Sequence, residues 1–137
     1  MRWTIETFHK ILKSGCRAEQ SKLRTAERLV NLLATFCILS WRIFWLTMLN
    51  RSKRSARPTL AFTRLEVDLL NRLTPTLRRK QTQPASLSTC LTQLARLGDY
   101  LVRASDPPPG NTVIWRGIAH LTDIEIGYLL GAKHVGN

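Results

Sequence analysis

The sequence predicts an all-α protein, and three observations lead to that prediction. Apolar residues recur at intervals of three and four through most of the chain, most regularly over residues 87–101. No segment alternates apolar and polar side chains with a period of two, so no β-strand is indicated. Thr63 followed by Glu66 is a helix-start pattern, and the run DPPPG at 106–110 is a firm helix stop.

The first two segments of the chain each predict one helix. Residues 2–13 place Ile5, Phe8, Ile11 and Leu12 at helical spacing, and Gly15 follows as a stop. A longer helix is expected to begin near Ser21 or Thr25 and to end near Asn50, because apolar residues continue through that whole stretch.

Residues 30–49 are long and apolar enough to raise the alternative of a membrane span. Arg42 lies in the middle of this stretch, where it would cost roughly 2.5–3.5 kcal/mol on insertion, and basic residues flank both ends. We therefore favour a buried core helix, with Trp41 and Trp45 packed among their apolar neighbours, and expect no membrane partner.

The second half of the chain predicts a basic linker at 51–60 followed by several shorter helices. A helix is expected from Thr63 to the stop at Thr74-Pro75, and the stripe from Leu87 to Leu101 predicts another. The tail has a helical stripe, but Thr122 and Glu125 also fit a fresh helix start, so one helix and two helices both remain open.

Composition points to an anionic partner. The chain has 137 residues, 44% of them hydrophobic, which is enough to bury the core of one domain. Its 21 Lys and Arg against 9 Asp and Glu give a formal charge of +12. Such a field favours nucleic acid or anionic lipid, with nucleic acid the first expectation. The basic runs at 51–57 and 78–80 either hold a DNA backbone or are simply solvated, and neither carries base-sequence information.

The three cysteines indicate neither a disulfide framework nor a zinc site. Cys16, Cys37 and Cys90 are far apart and have no CxxC spacing. The first ten residues contain Glu6 and Lys10 and no continuous apolar stretch, so a signal peptide is not expected. We expect a cytoplasmic protein with reduced thiols.

The first helix carries the residues that point to chemistry. Arg2, Glu6, His9 and Lys13 are separated by four, three and four residues, which stacks them along one helix face. A carboxylate between cations suits a metal ion beside phosphates, although the same spacing also fits an ordinary surface ion pair. On spacing alone, the surface pair is the favoured interpretation.

The sequence of residues 2–15, RWTIETFHKILKSG, resembles the Y-x2-R-x3-E-x6-K signature of bacterial transposases of the IS-four and Tn-five type. Three of the four signature positions are present at the right spacing. Looser landmarks of the same family's C-terminal region follow at ERLV (27–30), WRI (41–43), LARLG (94–98) and WRG (115–117).

The resemblance implies a fold and roles for particular residues. It implies that residues 1–20 are the last helix of an RNase H-like catalytic core, here incomplete, and that 21–50 form a long core helix. The linker at 51–60 then leads to a helical dimerisation domain at 61–137. Glu6 matches the glutamate that binds Mg²⁺ or Mn²⁺ and acts in catalysis, while Arg2 and Lys13 match residues that hold the phosphates of the transposon ends.

The chain departs from the family pattern in its catalytic residues. The signature tyrosine and the two strand-borne aspartates have no counterpart here, and one carboxylate cannot build a two-metal site. We therefore expect a truncated bacterial transposase that is not catalytic alone and binds no metal tightly. The alternatives are a half that completes a transposase in trans, and a basic membrane-associated helical protein.

Pairing is the other property that the resemblance implies. The stripe of Ile114, Trp115, Ile118 and Leu121 either closes the chain's own core or pairs with a second copy. The resemblance favours pairing through these four residues, in a homodimer or in a heterodimer with a full-length transposase.

Overall fold

The computed structural model describes residues 2–11, 13, 25–74 and 86–135, and within these ranges the chain is all-α, as predicted. The helices are α1 (Arg2–Lys10), α2 (Ala26–Ser52), α3 (Arg64–Leu73), α4 (Leu87–Leu97) and α5 (Asn111–Val135), with one 3-10 turn at Pro58–Leu60. The described residues contain no strand.

The capping-box pattern read from the sequence is confirmed at the start of α3. Thr63 Oγ1 accepts a hydrogen bond from the Glu66 backbone N–H at 3.1 Å, and Glu66 Oε2 accepts one from the Thr63 N–H at 2.8 Å. This reciprocal capping box satisfies two backbone donors that the first turn of a helix leaves without partners.

The end of α4 differs from the prediction. The helix ends at Leu97, and Leu101 lies outside it with 64% of its surface exposed. Asp99 takes a left-handed backbone conformation with φ 73°, which stops the helix, and the Tyr100 N–H returns to the Ala95 carbonyl at 3.0 Å.

The tail forms one helix, α5, which answers the question that the sequence left open. Thr122 does not start a new helix. Its hydroxyl donates instead to the Ile118 carbonyl at 2.9 Å, within the continuous helix. The first half of α5 is packed against the rest of the chain, whereas the side chains of residues 126–134 are all exposed.

One hydrophobic cluster joins all five helices. It contains Ile11 directly after α1, Ile43 and Leu46 of α2, Leu70 of α3, and residues of α4 and α5 such as Leu94. The stretch between α2 and α3 is also pinned, because the Leu87 N–H at the start of α4 donates to the Ala56 carbonyl at 2.8 Å. The division into segments 1–20, 21–50, 51–60 and 61–137 stays a prediction.

The helices α4 and α5 cross with almost no space between their backbones. A Cβ placed on Gly117 of α5 would lie 2.1 Å from the Leu94 carbonyl oxygen, and one on Gly98 would lie 2.0 Å from the Val113 carbonyl oxygen. His120 Nδ1 also lies 2.7 Å from the Leu97 carbonyl oxygen. The backbones of α4 and α5 are therefore in close contact at Gly98 and Gly117.

Helix α2 is not the buried core helix that the sequence predicted. Its buried residues are Ser40, Ile43, Phe44 and Leu46, all in the second half of the helix. The prediction that Trp41 and Trp45 are core residues is wrong, because they are 58% and 45% exposed. Part of α2 packs against α1, α4 and α5, and apolar residues on its other faces remain in contact with solvent.

Candidate nucleic-acid interface

The signature helix α1 presents its polar side chains to solvent. Glu6, His9 and Lys13 are all exposed, whereas Ile11 is completely buried in the core cluster and holds this segment to the protein. Ile11 and Lys13 follow α1 in a wider, π-type turn. Arg2 begins α1, but its side chain lies outside the described residues. The structure thus leaves Glu6 and Lys13 accessible to an external ligand.

The described residues do not fit the two-metal site that the resemblance implies. In the described part of the chain, no group of three or more His, Cys, Asp or Glu side chains is placed to hold a metal ion. Glu6 is therefore a single exposed carboxylate, and no catalytic step through Mg²⁺ or Mn²⁺ can be derived from these residues.

A basic cavity of about 550 Å³ lies between α1, the end of α2 and the start of α5. Its cations are Lys10 of α1, Arg51 of α2 and Arg54 in the segment after α2, and all three are exposed. The opposite wall is formed by residues 108–111 with Ile114. No Asp or Glu is among the described residues that line it. The cavity thus has three exposed cations in its lining and is open to solvent.

The polar lining is completed by Thr47 and Asn50 of α2. The Asn50 Oδ1 atom is buried and has no hydrogen-bond partner among the described residues. Sequence reasoning did not find this cavity, because its walls come from four segments far apart in the chain, one of them contributing Leu91 of α4. Only the basic run at 51–57 and the proline-rich stop before α5 gave a partial signal.

Arg42, which argued against a membrane span in the sequence, has a partner in the structure. Its guanidinium lies 2.5 Å from Glu66 Oε1, and the Glu66 side chain is only 6% exposed. The same carboxylate also caps α3. This ion pair ties the middle of α2 to the start of α3.

Three of the four residues predicted to pair with a second copy lie inside the chain's own core. Ile114 is 0%, Ile118 3% and Leu121 2% exposed, because they face α4 and the rest of the core cluster. Trp115 is half-buried and packs edge-on against Phe36 of α2, with ring centroids 6.3 Å apart. For Ile114, Ile118 and Leu121, the alternative that they close the chain's own core describes the structure.

The two cysteines that the structure describes differ in environment. Cys37 is exposed on α2. Cys90 is completely buried in α4, and this burial raises the pKa of its thiol to about 11. Cys90 is therefore a structural residue, since a thiol held in its neutral form is a poor nucleophile and a poor metal ligand.

No family model matches this chain, and no curated protein gives a significant match. The resemblance to transposases therefore depends on the sequence motif at residues 2–15 and on the shorter similar segments after it.

Proposed function

We propose that the chain is the C-terminal segment of a DNA transposase of the IS-four and Tn-five type. In this proposal it binds the DNA backbone and pairs with another transposase chain, and it is not catalytic alone. One observation carries the proposal. Residues 2–10 form a helix at the position of the signature, with Glu6 exposed within this helix and Lys13 exposed shortly after it.

The charge distribution supports DNA as the partner. The exposed cations Arg51, Lys53, Arg54 and Arg57 follow one another at the end of α2. Lys10 of α1 lines the same cavity as two of them. Phosphates of a DNA backbone are attracted to such a surface regardless of base sequence, and the attraction weakens steeply with salt.

Binding to a short DNA duplex tests this part of the proposal. We expect Lys13→Gln to weaken binding and to reduce the slope of log K against log salt by about 0.9, the value for one phosphate contact. The matched control is Lys133→Gln, an exposed lysine in the last turn of α5. Equal slopes for the two variants would remove Lys13 from the interface, and no measurable binding by the unaltered chain would refute the DNA-binding proposal.

The role of Glu6 is tested by supplying the missing carboxylates. A two-metal reaction needs acidic ligands that one glutamate does not provide. We expect the chain mixed with the upstream catalytic part of a related transposase to restore Mg²⁺-dependent cleavage. Glu6→Gln should abolish that cleavage while association is retained, whereas Glu27→Gln, an exposed glutamate in the first turn of α2, should leave it intact. Cleavage by the Glu6→Gln mixture would refute the assignment.

We propose that the chain pairs through the C-terminal half of α5. Ile126, Tyr128, Leu129 and Leu130 are between 43% and 54% exposed, so this half of the helix has an apolar surface that the core does not use. We expect Leu130→Glu to shift the chain from dimer to monomer in light scattering and to prevent co-purification with a full-length relative. A monomeric unaltered chain at micromolar concentration would contradict this part of the proposal.

A second candidate function, association with a membrane surface, is favoured by the exposure of α2. This is the one described helix long and apolar enough to cross a membrane, with a mean hydropathy of 1.7, and only 22% of that window is buried. Val30, Ile38 and Trp41 are each more than half exposed. Crossing would also break the Arg42–Glu66 ion pair, so a helix lying on the surface fits the fold better.

Flotation with vesicles distinguishes the two candidates. Membrane association predicts that the chain floats with phosphatidylglycerol vesicles in high salt and that Ile38→Glu prevents this. Recovery of the unaltered chain from the soluble fraction, without detergent and without flotation, would dismiss the membrane candidate and leave DNA binding.

A further inference from the structure

The basic cavity at the start of α5 combines two features that recognise a phosphate group. The first is the set of three cations, which come from two helices and the segment between α2 and α3. The second is the start of a 25-residue helix in the opposite wall. Both features favour an anion.

The cations are placed as a group rather than as a run along the surface. Lys10 and Arg51 are 41 positions apart in the chain, from 51 minus 10, yet both line one cavity of about 550 Å³. That volume holds a phosphate group together with part of the chain or molecule that carries it. Arginine suits such a site because its planar guanidinium can donate two hydrogen bonds to one phosphate.

The backbone at the start of α5 adds uncharged donors. The first intrahelical bond is donated by Ile114 to the Gly110 carbonyl at 3.1 Å. The N–H groups of the preceding residues of a helix have no acceptor within the helix, and Gly110 at the cap position has no side chain to accept from them. The helix dipole adds a partial positive charge at the same place.

We infer that this cavity binds one phosphate group, held by Lys10, Arg51 and Arg54 and by the backbone N–H groups at the start of α5. The inference rests on the proposed function for the source of the phosphate, which is then a phosphodiester of the DNA backbone. A free phosphate ion has the same chemistry and is the alternative source. The site does not include Glu6 or Lys13, so it is separate from the signature residues.

Substitution of Gly110 gives the sharpest test, because two variants at this position can differ in charge while both keep the fold. Gly110 has no positive φ, and a Cβ placed on it would meet nothing within 4 Å, so Asp and Asn both fit there. Both residues are good helix caps and should keep or raise the thermal stability of the protein. Both side chains can accept hydrogen bonds from the same backbone N–H groups, but only Asp brings a negative charge, which repels a phosphate.

The experiment measures the binding of inorganic phosphate and of a DNA duplex to the unaltered chain, to Gly110→Asn and to Gly110→Asp. With inorganic phosphate, we expect the Asn111 backbone amide signal of the unaltered chain to shift in a saturable way by NMR, and to do so in Gly110→Asn but not in Gly110→Asp. With a short DNA duplex at constant salt, we expect Gly110→Asp to bind roughly tenfold more weakly than Gly110→Asn, the loss of about one charge-assisted contact.

Arginine variants provide an independent check. Arg54→Gln, inside the cavity, should weaken duplex binding roughly tenfold, whereas Arg28→Gln, an exposed arginine in the first turn of α2 that does not line it, should change binding less than about twofold. Equal effects of the two substitutions would mean that only the overall charge matters, and this would overturn the inference.

The outcomes also separate this inference from the proposed function. Duplex binding that is the same for Gly110→Asp and Gly110→Asn, with no shift of Asn111 by phosphate, overturns the site but leaves DNA binding in place. A saturable phosphate shift without any duplex binding supports the site, assigns it to free phosphate and refutes the proposed function.

Discussion

Gly117 is the position at which one added methyl group should damage the fold most clearly. In Gly117→Ala the new Cβ would lie 2.1 Å from the Leu94 carbonyl oxygen and 2.9 Å from the carbonyl carbon. A carbon atom approaches a carbonyl oxygen to about 3.3 Å, so α4 and α5 would have to separate by about 1.2 Å. The obstacle is backbone, which has no alternative rotamer.

The expected magnitude follows from two opposing effects. Overpacking a close contact costs typically 1–3 kcal/mol, and a rigid backbone neighbour puts Gly117 near about 3 kcal/mol. Replacing a glycine inside a helix by alanine returns about 1 kcal/mol. The net expectation is a loss of about 2 kcal/mol in the free energy of unfolding.

The same helix provides the matched control. A Cβ placed on Gly127 would meet nothing within 4 Å, so Gly127→Ala should show only the helix-propensity gain of about 1 kcal/mol. Urea unfolding followed by circular dichroism at 222 nm measures both. With a slope of about 1.5 kcal/mol per molar urea, the midpoints of the two variants should differ by roughly 2 M. If Gly117→Ala is as stable as Gly127→Ala, the close crossing of α4 and α5 is refuted.

Three further predictions concern buried polar groups and thiols. Gln93 is 1% exposed and its Oε1 has no hydrogen-bond partner among the described residues, while its Nε2 donates a long hydrogen bond of 3.4 Å to Asn71 Oδ1. Because the unsatisfied oxygen costs more than this long bond contributes, Gln93→Leu should raise the melting temperature measured by calorimetry, and a fall would contradict this. Glu66→Gln can still cap α3 but loses the ion pair with Arg42. We expect it to lower the free energy of unfolding, measured in urea, by about 1–3 kcal/mol. An unchanged midpoint would count against the ion pair. Because the pKa of the Cys90 thiol is raised to about 11, its thiolate is scarce below that pH. Peptide mapping after alkylation at pH 8 should find Cys37 modified and Cys90 intact, and modification of both in the folded protein would refute the burial.

The helices themselves were largely predictable because their signals are local. The capping box of Thr63 and Glu66 lies within four residues of sequence, and the apolar stripe of α4 repeats along one helix face. The all-α class follows from the same local patterns and is confirmed. The basic charge that motivates an anionic partner is likewise a property of composition alone.

Packing of each helix could not be predicted, because apolar spacing indicates a face but not what covers it. Trp41 and Ile114 both lie among apolar neighbours in the sequence, yet Trp41 is more than half exposed and Ile114 is completely buried. The cavity lined by Lys10, Arg51 and the start of α5 could not be predicted for the same reason, because it brings together residues that are 41 or more positions apart in the chain.

The sequence by itself determined the first four helices, several of their ends and the net charge, because these depend on composition or on residues within a few positions of one another. The tertiary structure decided that Ile114, Ile118 and Leu121 close the core and that half of α2 remains exposed. It also decided that Lys10 lines one cavity together with the distant Arg51 and Arg54. Those outcomes depend on which helix faces bury apolar area against each other, a choice that is made by the whole chain and not by any one segment.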